Sequence, residues 1–310
     1  MNRNHILPEL LEWQKKGKYI TTFNDHKVFV IDDGDSTAQP EETLVAFHGF
    51  PESSATYRFV SNFFLTRFKR VIYLDFVGFG FSDKPKDKLN DKFTFSIFEH
   101  TDTVLWVLQE LKVRGAHFLS HDMGDSILTE LMTRVSLGQP NWMDKGILSV
   151  TFTNGGMVLE EAEFRLAQKL LLSPFGKYLT VLSLVKPFFF QQIFSAHGNS
   201  LIPKIRIEEM YNQLIYKGYL QLSYYLIQYQ KERIRFEKSR WLPVVASCNY
   251  PIHLAWGTDD KVNPVGIARY LKKIQPKAQL TEIEGVGHFC QLHNEEVWFA
   301  SLDEFWKKLV

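Results

Sequence analysis

Short apolar runs rich in β-branched and aromatic residues recur along the chain, at 27–31, 43–47, 70–74, 116–119, 147–153, 251–256 and 278–283. Several are almost continuously apolar, the pattern of strands covered on both faces of a parallel sheet. Between them lie stretches with helical spacing, at 97–111, 123–137, 264–274 and 295–309. In the last of these Val297, Phe299, Ala300, Leu302 and Trp306 alternate with charged positions. This alternation predicts an α/β fold built on a mostly parallel, doubly wound sheet.

The rhythm breaks once. From about 155 to 243 no convincing strand is present, only helical and aromatic stretches such as 166–172, 178–184 and 208–229. The strand–helix rhythm resumes at Pro251 and needs the earlier strands to complete a core. Residues 155–245 therefore read as a helical insertion, with 1–154 and 246–310 as two parts of one core. A separate C-terminal domain fits less well for the same reason.

Composition adds limits. At 310 residues, 45% hydrophobic and 23% charged, the chain has enough apolar material for a sizeable core. Its formal net charge of +1 gives no overall field favouring nucleic acid or an anionic membrane. The 26 Phe and 12 Tyr point to an aromatic core or a large apolar pocket. Two cysteines, Cys248 and Cys290, are too few for a disulfide framework and are expected as buried thiols. Residues 1–18 intersperse Arg3, Glu9, Glu12, Lys15 and Lys16 among apolar positions, and there is no 18-residue apolar span. A soluble, cytoplasmic protein is the expectation, with no transmembrane segment, no cofactor and no metal called for by any motif.

The strongest local signal is Ser120-His121-Asp122-Met123-Gly124, placed between an apolar strand and a helical pattern. A strand-to-helix turn this tight strains its central residue, and small residues two before and two after relieve clashes. Ser120 and Gly124 meet that need and bracket Asp122. This is the nucleophile-elbow pattern with aspartate where serine is usual. Alone, an Asp in such a turn is more often a helix N-cap. Downstream come Gly257-Thr258-Asp259-Asp260 and Gly285-Val286-Gly287-His288, giving the order nucleophile, acid, histidine.

Together with His48-Gly49-Phe50-Pro51, Leu74-Asp75-Phe76, Gly78-Phe79-Gly80-Phe81-Ser82-Asp83-Lys84-Pro85 and Asn154-Gly155-Gly156, these motifs resemble the epoxide hydrolase and haloalkane dehalogenase branch of the α/β-hydrolases. Within that branch the chain is similar to the mesoderm-specific transcript group. The likeness runs from about Thr43 to the C-terminus and is weakest in the insertion, which it makes a helical cap. It implies Asp122 as nucleophile, His288 as base, and Asp260 rather than Asp259 as the acid, since the acid there lies three residues after the glycine. Asn154 stands where some dehalogenases carry the acid instead. The backbone N–H groups of Phe50 and Met123 are the implied oxyanion hole. His48, heading the same loop, is a further candidate for contact with substrate.

An aspartate at this position suits attack on an sp³ carbon, as in an epoxide or alkyl halide, giving an alkyl ester that water then cleaves. Met123 and Phe50 offer no halide donor where dehalogenases place a Trp and an Asn. Epoxide opening needs hydroxyl donors, and the resemblance implies cap tyrosines, with Tyr229 and Tyr178 as the candidates by position. The expected partner is a small apolar substrate. Two alternatives stay open: a dehalogenase or other hydrolase, and a non-catalytic protein that binds a ligand with this fold.

Overall fold

The computed structural model describes residues 4–85, 93–162, 165–183, 185–198, 201–219 and 221–309. Leu184, at the end of one expected helical stretch, lies outside them. The chain opens with α1 (Pro8–Lys16), whose Leu10 and Trp13 share one face by their i, i+3 spacing and are both buried. Strand β1 (Lys18–Thr21) follows, then β2 (Lys27–Gly34), β3 (Thr43–Phe47), the short α2 (Ser61–Leu65) and β4 (Arg70–Leu74). Next come α3 (Ile97–Glu110), β5 (Gly115–His121), α4 (Met123–Ser136) and β6 (Gly146–Thr153).

Among the described residues seven α-helices then run without a strand: α5 (Leu166–Leu172), α6 (Gly176–Ser183), α7 (Lys186–His197), α8 (Lys204–Ile215), α9 (Leu222–Leu226), α10 (Tyr229–Phe236) and α11 (Leu242–Ser247), the last two joined by a π-helical turn (Glu237–Trp241). The core resumes with β7 (Ile252–Gly257), α12 (Gly266–Ile274), β8 (Gln279–Ile283) and α13 (Glu295–Trp306). Each strand-like run of the sequence is a strand here, and each helical run outside 155–245 contains a helix. The exposed edge strand β1 and the helix α1 carry too little continuous apolar sequence to announce themselves. The stretch 208–229 is broken at Lys217, where φ is +51°.

The eight strands form one sheet in the order β1-β2-β4-β3-β5-β6-β7-β8. Strands β1 and β2 pair antiparallel to their neighbours, and the pairings from β4 to β8 are parallel. Alternate residues of β3 feed opposite cores: Val45 and Phe47 one, Leu44 and Ala46 the other. Both faces are therefore sealed, which accounts for the continuous apolar runs.

Winding starts at β3, proceeds to β4 on one side and returns to β5 on the other. At that reversal the carboxyl ends of β3 and β5 are neighbours, with Phe47 paired to Ser120. Open α/β sheets leave a crevice at such a switch point. The chain enters its two most motif-rich loops there.

Candidate functional site

Strand β5 ends at His121 and α4 begins at Met123, so Asp122 makes the whole turn. Its φ of +46° and ψ of −106° lie outside the ordinary regions for an L-residue, a strain of about 1–3 kcal/mol that the packed surroundings must hold. Gly124 lets the first turn of α4 press on the end of β3. A Cβ there would stand 2.7 Å from the His48 carbonyl oxygen. Ser120 is fully buried and donates its hydroxyl to Asp125 Oδ1 at 2.6 Å. It faces the interior of the fold.

The Asp122 carboxylate is gripped from two sides. Oδ2 accepts the Phe50 N–H at 3.0 Å, from the loop after β3. Oδ1 accepts the Asn263 side-chain amide at 3.2 Å, and the same amide nitrogen donates to the Asn154 carbonyl at 2.6 Å. A buried guanidinium approaches from α10. Arg233 Nη2 donates to the Asp122 backbone carbonyl at 3.0 Å and lies 3.9 Å from Oδ1, while Nε donates to Ser126 Oγ at 2.7 Å.

His288 follows β8 in a loop and its Nδ1–H donates to Asp260 Oδ2 at 2.9 Å. That oxygen also accepts the Asn154 side-chain amide at 2.7 Å. The other, Oδ1, accepts the backbone N–H groups of Val262 at 2.7 Å and Asn263 at 2.9 Å. Four donors thus orient one carboxylate. Burial pulls the His288 imidazolium toward deprotonation, but the Asp260, Asp122 and Glu52 carboxylates outweigh it and hold its pKa above the ordinary 6.5.

A second buried carboxylate–imidazole pair lies behind the first. His121 Nε2 meets the His288 carbonyl oxygen at 3.0 Å, and its Nδ1 meets Glu52 Oε2 at 3.0 Å. A carbonyl can only accept, so Nε2 carries the hydrogen and Nδ1 shares a proton with Glu52. Burial raises Glu52 to about 7, while burial, His288 and His48 push His121 well down. Gln291 and Thr56 donate to the other Glu52 oxygen at 2.6 and 2.7 Å.

Asp122 and His288 open onto one cavity of about 820 Å³, its solvent-open mouth included. Its walls are mostly apolar, among them Leu171, Phe189, Ile193 and Phe289, with Arg165, Gln168, Gln192 and Ser223 as polar interruptions. Tyr229 stands in this wall, buried, with its hydroxyl accepting from Gln230 Nε2 at 3.1 Å. Burial, helped by the Asp122 charge, raises its phenol pKa.

The structure separates the other sequence candidates. Tyr178 is 77% exposed and lies outside the cavity wall, because the side of α6 that carries it faces outward. His48 is fully buried beneath the loop: Nδ1 bonds the Gly49 carbonyl at 2.8 Å and Nε2 accepts the Phe76 N–H at 3.1 Å. Burial lowers its pKa to about 3, so it is a neutral brace and lies outside the cavity wall. Asp259 is not bonded to His288; its backbone N–H donates to the Val286 carbonyl at 2.9 Å. Asn154 supports the acid. Both cysteines are free thiols, Cys290 buried and Cys248 partly so.

Glu52, His121, Asn263 and Arg233 are the residues that motif reading passed over. Glu52 directly follows Pro51, His121 lies inside the elbow motif without a role being read for it, and Asn263 follows Asp260 by three. Arg233 sits in the insertion with no local signal.

An elbow at the sheet's switch point, a buried histidine–carboxylate pair and an apolar cavity define the site of an α/β-hydrolase. The α/β hydrolase fold family matches residues 42–295, and the chain belongs to that family. It is a hydrolase by that membership and by its relatives. LipZ of Mycobacterium tuberculosis, named as a hydrolase, is 32% identical over 289 residues, covering 92% of this chain and 93% of its own. The human mesoderm-specific transcript homolog protein is 31% identical over 299 residues, covering 93% and 85%. An esterase, EaEST from Exiguobacterium antarcticum, shares the fold with a TM-score of 0.70 at 18% identity, covering 94% of this chain and 99% of its own. Among the described residues no helix is long and apolar enough to cross a membrane.

Proposed function

We propose that the chain is an epoxide-hydrolase-like enzyme with Asp122 as nucleophile, acting on an apolar substrate beneath a helical cap spanning 155–245. The observation that carries this reading is the seating of the Asp122 carboxylate. One oxygen already rests on the Phe50 N–H at 3.0 Å, while the nearby Ser120 hydroxyl is buried and committed to Asp125. Asp122 Oδ1 attacks an epoxide carbon, the C–O bond of the ring breaks, and its electron pair goes to the departing oxygen. That oxygen takes a proton from the Tyr229 hydroxyl, which regains one at the end of the cycle, when the Asp122 carboxyl rebuilt with the water oxygen gives up its proton.

In the second step His288 Nε2 removes a proton from water, and the water oxygen adds to the Asp122 carboxyl carbon. The charge collects on Oδ2, against the N–H groups of Phe50 and Met123. Collapse expels the diol through the bond to Oδ1, and the imidazolium returns its proton to that oxygen. Asp260 stabilises the imidazolium meanwhile.

The experiment is a panel of epoxides, haloalkanes and esters offered to the purified protein, to Asp122→Ala and to His288→Gln. Epoxide turnover is expected from the native chain, with none from Asp122→Ala. His288→Gln accumulates one substrate-sized adduct on Asp122, read by intact mass. Turnover surviving in Asp122→Ala overturns the nucleophile, and preference for haloalkanes or esters overturns the substrate class.

A further inference from the structure

The helices between β6 and β7 carry an unusual surface. Between Glu163 and Glu208 the sequence holds no acidic residue, yet it holds Arg165, Lys169, Lys177, Lys186, Lys204 and Arg206. Against a net charge of +1 for the whole chain, this one segment is strongly cationic and the remainder is net negative. The same segment concentrates exposed apolar side chains. Leu166, Phe175 and Tyr178 are 73, 70 and 77% exposed, and Leu170, Val181 and Val185 are exposed with them.

Helices α5 and α6 pack on one another, so these side chains belong to adjoining surfaces. Leu166 and Leu170 are one turn apart on α5, and Tyr178 and Val181 one turn apart on α6. The exposed Lys169 and Lys177 stand among them. Other residues of α5, Gln168 and Leu171, line the cavity above Asp122. One short helix therefore divides the apolar exterior from the apolar interior.

Lys186 and Arg206 are paired with Glu208 and Glu295, but α5 and α6 themselves carry no carboxylate, and their exposed apolar side chains beside Lys169 and Lys177 match the requirements of an anionic lipid surface. The apolar groups enter the acyl boundary and the ammonium groups meet phosphates. We propose that the α5–α6 face docks on an anionic phospholipid bilayer, with Phe175 and Tyr178 inserted and Lys169 and Lys177 at the headgroups. The bilayer is favoured over a protein partner by this charge complementarity and by α5 lying between the face and the apolar cavity. An apolar substrate dissolved in the membrane then lies one helix away from the cavity above Asp122. The docking is independent of the chemistry assigned to Asp122.

The test is co-sedimentation of the full chain with vesicles of phosphatidylcholine alone and of phosphatidylcholine with phosphatidylglycerol. Binding is expected to the second, to weaken with added salt, and to be unchanged in Asp122→Ala. The double variants Phe175→Glu/Tyr178→Glu and Lys169→Glu/Lys177→Glu should each bind about tenfold more weakly or worse. Leu137→Glu, at an exposed apolar position beyond the insertion, should bind as the native chain does. The proposal is overturned by equal or absent binding to both vesicles, or by a loss in Leu137→Glu matching the double variants. A face that instead drives self-association, with dimers lost in Phe175→Glu/Tyr178→Glu and no vesicle binding, overturns it as well.

Discussion

The guanidinium of Arg233 closes over the strained turn at Asp122, donating to its backbone carbonyl at 3.0 Å while Nε holds Ser126 on the first turn of α4. One side chain from the helical insertion thus braces the residue that the core holds at a φ of +46°. Arg233→Met keeps much of the volume but removes both bonds. It is expected to cost about 1–3 kcal/mol of stability, measured by urea denaturation, because buried acceptors lose a charged donor. Arg233→Lys should recover only part, since an ammonium cannot span the two acceptors as the planar fork does. A variant as stable as the native chain would remove this bracing role.

In the proposed mechanism hydrolysis of the ester intermediate needs neutral His288. In the free enzyme Asp260, Asp122 and Glu52 hold its pKa above 6.5 against the opposing effect of burial; in the ester the Asp122 charge is gone and Asp260 is the main upward pull. The imidazolium is the inactive form, so the rate rises with pH through the His288 inflection. In Asp260→Asn the largest opposing charge is gone and burial dominates, so the inflection moves down while the rate falls. A pH–rate profile of the hydrolytic step checks both; a native rate that does not rise with pH, or an inflection that does not move down in Asp260→Asn, contradicts the assignment.

Glu52 is raised by burial from 4.5 to about 7. A carboxyl whose pKa is higher in the folded state favours folding below its unfolded value, and that contribution is lost as pH rises through the folded one. Native stability should accordingly decline between about pH 4.5 and 7, by about 1–3 kcal/mol from this group. Glu52→Gln abolishes that part of the slope. Urea midpoints across this range, for both proteins, are the measurement.

Tyr229 and Tyr178 make a paired test. Tyr229→Phe removes the hydroxyl in the cavity wall and should lower the rate of adduct formation about a hundredfold, with little change in stability. Tyr178→Phe, on the exposed face, should leave that rate unchanged. Stopped-flow or quenched single turnover reads the step directly. Equal rates for Tyr229→Phe and the native chain would leave Tyr229 as wall alone.

On the proposed mechanism the expelled diol carries the original Asp122 Oδ1. In a single turnover in heavy-oxygen water, with enzyme in excess, the label is expected in Asp122 and absent from the product. Label in the first-turnover diol would mean that water attacks the epoxide directly.

Local pattern settled much of this molecule. Runs such as 70–74 and 147–153 are apolar on both faces, and only a covered sheet can bury them that way. The turn at Asp122 was legible because Ser120 and Gly124 answer a steric demand made within five consecutive residues. Asp260 and His288 could be proposed because each follows a strand in a glycine-marked loop. Tertiary packing decided what depends on rotation and on distance along the chain. Whether a tyrosine of the insertion faces the cavity is set by how its helix is turned against its neighbours, so Tyr229 lies inside and Tyr178 outside. Glu52, His121 and Gln291 come from three distant stretches, as do Arg233 and Asn263 at the Asp122 carboxylate. Their meeting follows from the order of strands in the sheet and the docking of α10, and spacing along the chain carries no trace of either.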